Sequence, residues 1–260
     1  MARPFRVPPE LWADYLDGFH TERPGITESV LSRSMAGFQN PYSWLSRAVS
    51  SSALKVLDVT CGSGAMSREL EAPDRMVVGL DISSAEIQQA ARRSAGPFVQ
   101  GDVLSLPFAD EAFDAVTCSM GLAVVRPVEQ MIAEISRVLK PGGVFAALMP
   151  AERPLGIADL PIAAHLALTL HSLPRFPGAL ELTVDPILSD HGLRRVENAR
   201  ALYHYPVRKA MDAEIMVSAL YLPKTRDSRF LAAVEYLANK AEKDGVVQVP
   251  IPMRRIIAIK

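Results

Sequence analysis

Short runs of buried-type residues alternate with segments of helical period along the middle of the chain. Val56, Leu57 and Val59, then Met76 to Leu80 (M-V-V-G-L), Pro97 to Val99, Phe113 to Cys118 (F-D-A-V-T-C) and G-V-F-A-A-L-M from Gly143 each read as a buried strand. Between them, Ala65 to Leu70 has helical composition, and a second helix begins near Ser83 or Ser84. Val128, Met131, Ile132, Ile135, Val138 and Leu139 recur at helical spacing and predict a helix with one face on the sheet. Pro141-Gly142-Gly143 is expected to end that helix and turn into the fifth strand.

The flanks differ in character. Residues 1–50 hold seven of the 17 aromatic residues, so this stretch is read as structured, with short helices around 9–19 and 26–38 broken near Pro24-Gly25 and Pro41. Packing onto the sheet explains each of these aromatics more simply than a function does. After the fifth strand the pattern predicts helices over 158–173 and 185–191, a strand over 195–207, helices over 210–221 and 226–243, and a closing edge strand, I-P-M-R-R-I-I-A-I-K.

The most informative segment is V-L-D-V-T-C-G-S-G at 56–64, where an aliphatic run ends in Asp58 and enters a small-residue loop. Gly62 and Gly64 let the backbone turn sharply and approach a ligand. Strand, glycine loop and helix are the parts of a nucleotide-binding unit. The next strand ends at Asp81, whose carboxylate can accept from both hydroxyls of a ribose; its competing role is to cap the helix that follows. The spacing G-x-G-x-x-G that brings a helix to a pyrophosphate is broken by Met66 and Ser67, which disfavours a dinucleotide.

With G-L-D-I-S at 79–83, Q-G-D-V-L-S-L-P-F-A-D-E-A-F-D-A-V at 100–116 and L-K-P-G-G-V-F at 139–145, these landmarks resemble the class I S-adenosylmethionine-dependent methyltransferases, in the branch of the ubiquinone and menaquinone biosynthesis enzymes. The resemblance is clear from about Leu54 to Met149 and looser beyond. It implies a single Rossmann-like α/β domain with a seven-stranded, mostly parallel sheet whose last strand is antiparallel, and helices on both faces. Residues 1–50 would form a helical cap or lid, and 51–260 the methyltransferase domain, with a substrate-side insertion at about 151–182.

The resemblance implies S-adenosylmethionine as cofactor, held by Asp58, Thr60, Cys61, Gly62, Gly64 and Asp81. Ile82 would pack on one adenine face, Asp102 and Val103 would hydrogen-bond the ring, and a carbonyl at Cys118 or Ser119 would accept from the methionine amino group. Two departures stand out. Thr60 occupies a place the family gives to glycine or alanine, and Leu122, Ala123 and Val124 stand where many relatives carry a histidine.

Charge is balanced, 28 basic against 29 acidic residues, and the arginine pairs are short and scattered, so no nucleic-acid-binding stripe is expected. No apolar run reaches a membrane span and the first residues lack the apolar core of a secretory signal, which predicts a cytoplasmic protein. Two cysteines suggest neither a disulfide framework nor a metal site. Oligomeric state is left open, with a homodimer among the options.

The histidines are weak catalytic candidates. His165 and His171 lie six positions apart, about 240° around a helix, and share no face. His204 sits in a predicted strand, while His191 and His20 rank lower still. The expected function is methyl transfer to a small, largely apolar metabolite, acceptor atom undetermined. The alternatives are a rearrangement or cyclisation catalyst that retains the fold and cofactor and, third, an RNA or protein methyltransferase.

Overall fold

The structure, a computed structural model, describes residues 9–151, 153–171, 184–222 and 225–260, with side chains from Trp12 onward. Helices α1 (Pro9–Glu22), α2 (Ile26–Leu31) and α3 (Pro41–Ser46) precede the sheet. The alternating part follows as β1 (Lys55–Val59), α4 (Ala65–Glu69), β2 (Met76–Asp81), α5 (Ser84–Arg93), β3 (Phe98–Gln100), β4 (Phe113–Ser119), α6 (Gly121–Val124), α7 (Val128–Val138) and β5 (Leu139–Pro150). A 3₁₀ turn (Ile157–Asp159), α8 (Leu160–Leu170), α9 (Val184–Asp190), β6 (Arg194–Val207), α10 (Ala210–Ser218), α11 (Asp227–Asp244) and β7 (Val247–Ile259) complete the chain. The expected helix over 158–173 and the insertion at 151–182 run partly outside the described residues.

The seven strands form one sheet in the order β3-β2-β1-β4-β5-β7-β6, with β1 to β5 parallel and β7 antiparallel to both neighbours. The order reverses at β1 and β4, where Val59 pairs with Cys118, and this opens a crevice beyond their carboxyl ends. Val56, Leu57 and Val59 have no exposed surface, as the continuous apolar run requires of a strand covered on both faces. The apolar stripe of α7, Val128, Met131, Ile132, Ile135 and Val138, is wholly buried against the sheet.

Three expectations are corrected. The closing strand is not an edge: β7 lies between β5 and β6, and β6 is the edge. The prolines that suggested an edge, Pro250 and Pro252, lie past the ladder with β5, which stops at Met253, and on that side only the Pro252 carbonyl is met, by Ala151 N at 2.9 Å. A missing N–H is tolerated where a strand has one neighbour. Pro141-Gly142-Gly143 does not separate helix from strand either. β5 begins at Leu139, pairs with Phe113, and carries the Pro-Gly-Gly as an irregularity whose Gly142 N–H and Gly143 carbonyl bond to Lys260. The helix expected over 26–38 ends at Leu31, because Met35 exchanges both backbone hydrogen bonds with His204 and Gly37 turns the chain at φ 63°. Among the described residues, no helix is long and apolar enough to cross a membrane.

Candidate functional site at the crevice between β1 and β4

The glycine loop leaves β1 at its buried end. Asp58 lies beneath it with no exposed surface and accepts from Ser67 Oγ (2.7 Å) on α4 and Thr117 Oγ1 (2.9 Å) on β4. Both oxygens thus face neighbouring elements, and Asp58 braces the loop. Burial pushes its carboxyl up to about 7 against the lowering effect of those two hydroxyls. Cys61 and Cys118 are buried, and burial raises both thiols, Cys118 to about 11, so neither is a thiolate nucleophile at neutral pH.

Gly62 (φ 52°) and Gly64 (φ 81°) adopt left-handed backbone, as the turn requires. Thr60 does so too, at φ 54°, a conformation that a β-branched residue rarely takes. Its hydroxyl donates to the Val59 carbonyl at 2.6 Å and lies 3.4 Å from the Ser119 carbonyl. Gly121 makes room for it: a Cβ there would meet Thr60 Oγ1 at 2.6 Å and Cys118 Sγ at 2.5 Å.

Asp81 ends β2 beside the loop. Its Oδ2 accepts from Gly62 N and its Oδ1 from Ser83 N, each at 2.9 Å. The carboxylate is therefore oriented by backbone on both sides, and one lone pair on each oxygen remains for two hydroxyls of a ligand. Burial raises its pKa above the ordinary carboxylate value, against the lowering effect of the Ser83 and Gly62 N–H groups. The capping of α5 falls to Ser83, whose hydroxyl accepts from Glu86 N. Ile82 is 65% exposed, an aliphatic surface flanking the carboxylate.

Past β3, Asp102 is exposed, and its Oδ1 accepts from Leu104 N in a tight turn. The Val103 side chain joins the core at 5% exposure. Beyond β4, the Ser119 hydroxyl is buried with no hydrogen-bond partner among the described residues. Leu122, Ala123 and Val124 on α6 form a buried apolar wall.

Helix α1 spans the crevice. At one end the Trp12 indole donates to the Val124 carbonyl at 2.9 Å; at the other, His20 Nδ1 lies 2.9 Å from Glu86 Oε1 on α5. Glu86, 2% exposed, also accepts from Gly25 N (3.0 Å), and a Cβ on Gly62 would sit 3.8 Å from its Oε2. Ser63 of the loop donates to Glu28 of α2. Tyr221 stacks on Phe19 at 4.6 Å and shares a hydrogen bond with Thr27.

The methyltransferase-domain family matches residues 57–147, the crevice-forming part of the sheet. A demethylmenaquinone methyltransferase of Corynebacterium kroppenstedtii is 43% identical over 89 residues, 34% of this chain and 38% of the relative. The match to a 2-phytyl-1,4-naphtoquinone methyltransferase of Nostoc punctiforme is longer, 32% identical over 212 residues, covering 67% of this chain and 86% of that one. The chain belongs to the class I S-adenosylmethionine-dependent methyltransferases. Both of these relatives are named as methyltransferases of quinone precursors, demethylmenaquinone and 2-phytyl-1,4-naphtoquinone. The chain nonetheless spans only 38% of the length of the Corynebacterium relative. The solved structure of SpnF, described as a (4+2)-cyclase, shares the fold at TM-score 0.59 and 18% identity, over 96% of this chain and 93% of that one.

The residues fit the family's cofactor. The crevice offers an oriented carboxylate, an exposed aliphatic face beside it and a buried Ser119 hydroxyl with no partner among the described residues, uncommitted groups of the kind that a nucleoside joined to an amino acid can use. Of the three histidines put forward from sequence as catalytic candidates, none has a contact with the loop among the described residues. His165 stacks on Tyr236 of α11 at 3.5 Å, His171 is exposed at the end of α8, and His204 pairs with Asp159 at 2.9 Å. Sequence reasoning ranked low the histidine that the fold brings to the crevice, His20, and did not single out Glu86, Glu28 or Tyr221. No motif marks them, because each acquires its neighbour from an element at least 35 residues away.

Proposed function

We propose that this chain transfers a methyl group from S-adenosylmethionine to a small, largely apolar, quinone-like acceptor. The observation that carries the reading is Asp81, held by the loop's own Gly62 N–H and by Ser83 N–H so that its free lone pairs meet a ribose. In this reading Ile82 covers one adenine face, the unpartnered Asp102 oxygen and the Val103 N–H serve the ring edge, and Ser119 serves the methionine amino group. Thr60 and Cys61 line the passage beside it, and residues 1–50 act as the cap of the domain formed by 51–260. The relatives' names supply the acceptor class, and the cytoplasm is the compartment that goes with it.

The bound cofactor supplies a methyl group already activated on a sulfonium. What the chain adds is orientation and dryness. The apolar wall of Leu122, Ala123 and Val124, closed by the Trp12 indole, excludes water and holds an apolar acceptor in line, and alignment of this kind supplies much of the rate. With no base on that wall, the acceptor must lose its proton easily, as an acidic phenol does. A cyclisation reading finds its support in the SpnF fold and in the same base-free wall; the fold likeness carries no chemistry, so methyl transfer is preferred.

Calorimetric titration with S-adenosylhomocysteine tests the site. Asp81→Ala removes two charge-assisted hydrogen bonds to a ribose and should weaken binding at least about 100-fold, roughly 3 kcal/mol. Unchanged affinity would remove the basis of the reading. Incubation with a naphthoquinol should yield methylated product and S-adenosylhomocysteine in equal amounts; product formed without S-adenosylhomocysteine would favour cyclisation or rearrangement.

A further inference from the structure

Tyr42 is a buried titratable group that the reading above leaves unused. It stands at the second position of α3, a short helix fixed from both sides. Asn40 and Ser43 cap it reciprocally, and the Arg255 guanidinium of β7 lies over the Trp44 ring at 4.6 Å while donating to the Trp44 carbonyl. Tyr42 is 6% exposed and joins Leu31 of α2, Met66 of α4 and Leu148 of β5 in one apolar cluster. Packing explains the ring but not the hydroxyl. Among the described residues the oxygen has no hydrogen-bond partner, and phenylalanine would fill the same volume without burying an unsatisfied polar group.

The charges that act on this oxygen locate it. They are Glu28 on α2, Asp58 beneath the glycine loop and Glu86 on α5, with the Tyr221 hydroxyl of the cap also near. These groups surround the crevice, so the phenol faces it from the α3 side. Burial, reinforced by the acids, holds the phenol well above its ordinary value, and at neutral pH it is a protonated donor. In the reading above, Asp81 faces the ribose, Ile82 the adenine and Ser119 the amino group, which leaves the carboxylate at the amino-acid end of the cofactor without a partner. The cations nearest the loop are committed, Arg68 and Arg93 to Glu28 and His20 to Glu86. Two guanidiniums on one carboxylate leave the Glu28 corner favourable to an anion, and Tyr42 supplies the uncommitted donor there.

We propose that the Tyr42 hydroxyl donates to the carboxylate at the amino-acid end of the cofactor and so makes α3 part of the cofactor site. The inference rests on the methyl-transfer reading for the identity of that cofactor. It is tested by calorimetric titration of the full chain with S-adenosylhomocysteine and with its decarboxylated analogue, S-adenosyl-3-thiopropylamine. Tyr42→Phe should lower the affinity for S-adenosylhomocysteine about 10-fold and leave that of the analogue unchanged, since only the former can receive the bond. Asp81→Ala should weaken both ligands alike, because both carry the ribose. Without ligand, the urea midpoint of Tyr42→Phe should equal or exceed that of the wild type, because the substitution removes an unpartnered oxygen. A lower midpoint would show the oxygen already bonded within the protein and overturn the proposal. An equal loss for both ligands, which marks a packing role, or no loss for either, overturns it as well. S-adenosylhomocysteine bound equally by wild type and Tyr42→Phe fells this inference alone; a wild type that binds neither compound fells the cofactor reading and the inference with it.

Discussion

The crevice and its cap are held by different kinds of bond. In the crevice, Asp81 is positioned by backbone N–H groups of Gly62 and Ser83, and Asp58 by hydroxyls on the adjoining α4 and β4. Across the cap, every tie involves a side chain of a distant element: His20 with Glu86, Ser63 with Glu28 and Thr27 with Tyr221 join two side chains, while Trp12 reaches the Val124 carbonyl and Glu86 accepts from Gly25 N. Backbone donors at a strand end are set by the sheet and survive most substitutions. Side-chain ties depend on two residues each and can open singly. The difference predicts that α1 and α2, the cover, open more readily than the ends of β1 and β4, the platform.

The largest effect expected from this contrast concerns Asp58. Its folded-state pKa, about 7, is raised above the unfolded carboxylate value of 3.8. The native state therefore holds a proton that the unfolded chain loses first, so the contribution of this group to stability is full below about 4 and falls as pH rises toward about 7. The fall is about 4 kcal/mol, at about 1.4 kcal/mol per pKa unit. Asp58→Asn should flatten the stability curve between pH 4 and 7 in urea titrations. An unaltered slope would mean that the platform carries no buried acid.

Next in size is the cap. Glu86→Ala removes the partner of both His20 and Gly25 N and should cost about 2 kcal/mol. Amide exchange in α1 and α2 should quicken while β1 and β4 keep their protection. Faster exchange spread evenly over the sheet would erase the distinction between platform and cover.

The smallest test lies where the platform itself is strained. Gly121→Ala should destabilise the protein, because its Cβ meets both Thr60 and Cys118. In a Thr60→Gly background the loss should shrink by about 1 kcal/mol, a coupling readable from a double-mutant cycle of chemical denaturation. Strict additivity would mean that Thr60 and Gly121 do not share the space.

Legibility followed the same division. The run from Val56 to Gly64, Asp81 at the end of β2 and the amphipathic stripe of α7 are local patterns, and their elements stand within one or two residues of expectation. His20 carried no local signal, since what distinguishes it is Glu86, 66 residues later. The C-terminal strand misled because prolines argue for an edge, whereas here they lie where β7 has outrun β5 and has only one neighbour. Likewise Pro141-Gly142-Gly143 looked like a helix stop until Lys260 supplied its hydrogen bonds.

By itself, the sequence determined the alternation of strand and helix, the glycine loop and the acid that follows it. These depend on residues close in the chain, where backbone geometry and apolar periodicity act directly. Only the tertiary structure decided that β7 enters between β5 and β6, that α1 lies across the crevice from Trp12 to His20, and that Tyr42 comes to lie among the acids around the glycine loop. Those outcomes depend on which distant surfaces bury each other, a property of shape and packing that no local pattern encodes.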